Sequence, residues 1–180
     1  MSLLTLANFQ DGQNTTNLND YELVKFRANW ITPFEKHYLV QLLGASLYDL
    51  FIADIALINP VNPELESYEI PTNLIYTAIY QPFHVDSNGA ILESRGMVEM
   101  LRDFITWERI RSARSSNGTG GPSSPKLENS KLTHWPSSKI YETHNNAVED
   151  FCAIQELILK TKTTDYPTYN GQKMERASWV

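Results

Sequence analysis

The sequence predicts a mainly α-helical fold: a small adaptor domain of four to five helices with a hairpin signal, a long inter-helix arm and an extended C-terminal tail. Three observations carry this. Apolar residues recur at helical spacing over several long segments, and capping residues, proline and glycine stand where those segments begin and end. The stretch "RSSNGTGGPSSPKLENSKLTHWPSSK", residues 114–139, then separates two such segments by more chain than a compact domain normally leaves without structure of its own. At 180 residues the chain reads as a helical domain over 1–164, with its arm at about 115–136, followed by an extension over 165–180.

Asn19 and Asp20 are caps for a helix starting near Tyr21, with Val24, Ala28 and Ile31 on its apolar side. Thr32-Pro33 reads as a second start: a capping hydroxyl, then proline where its missing N–H does no harm. Phe34, Tyr38, Leu39, Leu42 and Leu43 form one broad stripe, and Gly44 fits the position just past a helix end, where a positive φ favours glycine. Another helix follows, whose Leu47, Leu50, Phe51, Ala53 and Ile55 are dense enough to predict burial on more than one side. "NPVNPELESYEIP", residues 59–71, is loop. "LIYTAIY" fits a short buried helix or a strand, and "HVDSNGAIL" places apolar residues on both sides of Ser-Asn-Gly, the hairpin signal at 84–92.

Ser94 is the expected cap of a third long helix, with Val98, Leu101, Phe104 and Ile105 as its stripe and Arg111 and Arg114 near its C-terminus, where cations suit the helix dipole. Ser137 or Ser138 caps the last helix, along which Ile140, His144, Ala147, Val148, Phe151, Ile154 and Ile158 follow the 3.6 period. No internal repeat or heptad run occurs.

The arm carries no charge from Ser115 to Pro125, yet it contains Leu132 and Trp135. The tail "DYPTYNGQKMERASWV" has no helical pattern, and it contains Tyr166, Tyr169 and Trp179. Large aromatic side chains give much contact area for little lost conformational freedom, so these five residues are the expected subunit-interface contacts.

Composition excludes several classes. The net charge is −6, and residues 1–83 hold only Lys25, Arg27 and Lys36 against nine acidic side chains, which argues against a nucleic-acid grip built on clustered cations. Cys152 is the single cysteine, so neither an internal disulfide nor a Cys-rich zinc site can form, and its place on an apolar helix face predicts an inert core thiol. "MSLLTLANFQDG" has no basic start, long apolar run or cleavage site, so no signal peptide is expected, and no apolar stretch approaches the length that spans a bilayer.

Catalytic templates fail in turn. "GASLY" places Ser46 after a Gly-x step but has Tyr48 where a nucleophile elbow needs its second glycine. "NGTGGPSS" lacks the Gly-Lys-Ser/Thr end of a phosphate loop. His37, His84, His134 and His144 make no i,i+4 pair, and His144 lies on an apolar stripe as a packed core or interface histidine would. Asp49 and Asp54 fall on different helix faces, and Glu149-Asp150 on the polar side of the last helix. No enzyme, metal site or cofactor is expected.

"YLVQLLGASLYDLFIAD", residues 38–54, resembles the Tyr-Leu-x-x-Leu-Leu-Gly-x-x-Leu-Tyr-x-x-Phe segment of head-completion, or head–tail connector, proteins of tailed phages. The nearest look like the neck ring proteins of crAss-like and other Bacteroidetes phages. "FITWERIRSARSSNGTGG" leading to "LENSK", then "YETHNNAVEDFCAIQELI" and "YPTYNG", follow in the family's order. "NPVNPELESYEIP" is longer and richer in proline than the family pattern.

The resemblance implies a structural virion protein without catalytic residues. It would be a neck subunit forming a closed ring of about twelve copies, each presenting a heterologous surface to the next. Its partners would be its own copies, the portal protein and other neck or tail proteins, with DNA passing through the channel without specific binding and no membrane involved. Its place would be the virion neck between capsid and tail, after assembly in the host cytoplasm. In such a ring the arm would order itself across a neighbour, and carboxylates lining the channel would repel DNA phosphates. The alternative is a soluble monomeric adaptor that binds one protein partner without forming rings.

Overall fold

The computed structural model describes residues 3–4, 6–9, 25–56, 71–87, 90–115, 137–171 and 174. Among them are five α-helices: α1 (Thr32–Leu43), α2 (Ala45–Ala56), α3 (Leu74–Tyr80), α4 (Met97–Ser115) and α5 (Ser137–Lys160). An antiparallel hairpin of β1 (Phe83–Ser87) and β2 (Ala90–Ser94) stands between α3 and α4. The expected fold class is therefore the observed one, including the hairpin. The arm, Asn19, Asp20 and nearly all of the 59–71 loop lie outside the described residues.

Thr32-Pro33 is not a helix start. A π-helical turn, Arg27–Ile31, runs directly into α1, and the Thr32 N–H donates to the Arg27 carbonyl, five residues back. The reason is the proline. Pro33 has no N–H to give, and its ring would crowd the carbonyl four residues earlier in a regular helix, so one wider turn carries the backbone past it.

Gly44 ends α1 with φ 76°, as the sequence predicts, but its ψ of 159° takes it out of the left-handed helical well into a region that is essentially glycine-only. Its N–H donates to Val40 O (2.8 Å) and its carbonyl accepts from Tyr48 N (2.9 Å), so α1 and α2 share this residue with no spacer. α2 then buries one face only. Leu47, Phe51 and Ile55 are inside, whereas Leu50 and Ala53 face solvent, which corrects the expected burial on several sides. A solvated second face is what an outer helix keeps when only one side has neighbours.

"LIYTAIY" is a helix because its start is capped twice. The Asn73 side chain accepts from Ile75 N (3.1 Å), and Asp54 on α2 accepts from Thr72 N (3.0 Å) and Asn73 N (3.2 Å). In the hairpin, Phe83 pairs with Ser94, Val85 with Leu92 and Asp86 with Ile91. Leu92 and Ser94 are buried, while His84, Asp86, Ile91 and Glu93 face outward. Ser94 does not cap α4. It ends β2, and its hydroxyl accepts from Gly96 N (3.1 Å) and donates to Asp150 Oδ1 on α5 (3.2 Å). The Gly96 carbonyl instead receives the first bond of α4, from Met100 N (3.2 Å).

α4 and α5 run in opposite senses: Arg95 meets Asp150 at one level and Trp107 meets His144 at another. Between them and α1 lies the centre of the core. Phe51, Phe104 and Phe151 are fully buried, Phe104 stands edge-on to Phe151 (6.2 Å), and Tyr38 stacks flat on Phe104 (4.1 Å). Ala147, Val148, Phe151, Ile154 and Ile158 are buried as the period predicts.

Candidate interaction site

Of the five side chains expected at a subunit interface, Leu132, Trp135 and Trp179 lie outside the described residues. The other two are inside their own subunit, which corrects the expectation that they face a neighbour. Tyr166 is 2 % exposed and Tyr169 6 %. The Tyr166 hydroxyl donates to the Ile75 carbonyl on α3 (2.6 Å), and burial raises that hydroxyl's pKa well above the ordinary phenol value. The turn after α5 is held by Asp165 N to Thr161 O (2.8 Å) and Tyr169 N to Tyr166 O (3.0 Å), which aims both rings inward. A search for helical period misses such a pair, because a tight turn obeys no period.

This turn closes on the Gly44 corner. A side chain at Gly44 would overlap the Asn170 carboxamide and come within 2.8 Å of the Asn170 backbone carbon, and one at Gly171 would collide with the Leu42 carbonyl. "LLG" and "YNG", from opposite halves of the chain, thus meet where only glycine fits.

Two of the candidate carboxylates, Asp54 and Asp150, are committed to internal bonds. Asp54 caps α3. Asp150, expected on the polar side of its helix, is buried. Its Oδ1 accepts from Ser94 Oγ and Arg95 N, and its Oδ2 from Arg95 Nε (2.9 Å) and Nη2 (2.6 Å). The same Arg95 Nη2 reaches Asp103 (2.9 Å). Burial lifts the Asp103 carboxyl above the ordinary carboxylate value, against the pull of Arg95 and Arg102. Burial also opposes the Arg95 charge, but the two carboxylates outweigh it and hold the guanidinium above its ordinary value. Neither the arginine nor its remote partner, fifty-five residues on, carries a sequence signal.

His134 lies outside the described residues, and the three described histidines do not converge. His37 bonds Gln41 (3.1 Å), His84 lies 3.5 Å from Glu93, and His144 packs between Trp107 (4.5 Å) and Phe104 (6.0 Å). Burial pushes His144 below the usual imidazole value. The Tyr38 hydroxyl, raised chiefly by burial, donates to Glu108 (3.0 Å), whose other oxygen meets Arg111 (3.1 Å). Cys152 is half-buried, with its thiol 3.6 Å from the Met174 carbonyl, so it is packed less deeply than a core thiol. Among the described residues no group of three His, Cys, Asp or Glu side chains could hold a metal ion, and no helix is long and apolar enough to cross a membrane.

What remains is surface. Leu74 is 84 % exposed, Ile91 66 %, Leu159 55 % and Leu50 49 %. Leu50 precedes Asp54 by one turn on the same face of α2, and Asp54 grips the backbone next to Leu74, so these two leucines flank one junction. The exposed leucines stand as apolar points on a helical frame. No protein-family model, curated protein or solved structure matches the chain.

Proposed function

We propose that this chain is a structural subunit of the neck of a tailed phage, forming a ring of about twelve copies that joins portal to tail and extends the DNA channel. The observation that carries the reading is the closure at Gly44. Segments quoted for the connector-family resemblance, "LLGASLY" and "YPTYNG", lie against each other at a point where a Cβ finds no room, so they act as one constraint on the fold. The exposed leucines and the commitment of the polar clusters to internal bonds agree with a protein that works by contact.

The burial of Tyr166 and Tyr169 favours a second reading, a soluble monomeric adaptor, because it removes two side chains from the available contact set. Native mass spectrometry of the full chain separates the two. Assembly into a closed ring of about twelve copies supports the neck subunit. A monomer at every concentration, remaining so when portal is added, supports the adaptor.

A further inference from the structure

We draw no further inference here: the strongest candidate, the apolar surface patch of Leu50 and Leu74 at the junction of α2 and α3, carries none because nothing in the structure shows what covers it.

Discussion

Tyr166 and Ile75 are joined by a 2.6 Å hydrogen bond from the tyrosine hydroxyl to the helix carbonyl, across ninety-one residues of chain. The segment after α5 is thereby part of the fold. Tyr166→Phe should lower stability by about 0.5–1.5 kcal/mol through the lost hydrogen bond, and Tyr166→Ala by about 3–5 kcal/mol through the cavity as well. Urea unfolding of the two variants measures both. Truncation before Asp165 should destabilise the helical core, because it removes the buried Tyr166 and Tyr169. An unchanged urea midpoint after truncation would contradict this packing.

Gly44 carries two separable constraints, a positive φ and the absence of room beside Asn170. Gly44→Val should destabilise by more than about 2 kcal/mol, since it meets both the backbone strain and the collision. Adding Asn170→Gly should recover only the part due to the Asn170 side chain, because the backbone carbon at 2.8 Å stays in place, and a double-mutant cycle on melting data reads the split. Full recovery would mean that φ contributes nothing.

How far the fold was legible follows from which interactions are local. The stripe Tyr38, Leu39, Leu42 and Leu43 and the stripe Ala147 to Ile158 announce buried helix faces, and Ser-Asn-Gly announces the hairpin, because each signal lies within a few residues. Leu50 looked like core because apolarity does not reveal how many neighbours a helix has. Asp150 looked solvated because its partner Arg95 arrives from another element, and Tyr166 looked free because a turn has no period. The candidate site was less legible than the fold for the same reason: exposure of Leu74 follows from tertiary packing, not from local pattern.

Arg95 should behave as a clamp between the hairpin end, α4 and α5. Arg95→Ala leaves Asp150 buried without its cation and Asp103 with Arg102 alone, and a loss of about 2–3 kcal/mol is expected, below that of a fully buried pair because Arg95 is partly solvated. Arg95→Lys should recover little, since an ammonium cannot reproduce the forked contact. Equal stability of the lysine variant and the wild type would contradict the geometry.

His144 links stability to pH. Its pKa is lower in the folded chain than in the unfolded one, so the unfolded state binds the proton more readily. The stability it contributes is present above the unfolded value near 6.5 and is lost as pH falls through the folded pKa. Urea midpoints taken from pH 7.5 downward should fall on acidification, and His144→Gln should flatten that slope about pH 6. A slope that His144→Gln leaves unchanged would assign the effect to another group.

The central claim is that this chain sits in the neck of a virion, and antibody labelling of tailed phage particles tests it most directly. Electron microscopy of particles exposed to a gold-conjugated antibody against the chain should show label at one place, the junction of capsid and tail. Label scattered over the capsid, confined to the tail tip or absent from the particles would contradict the account.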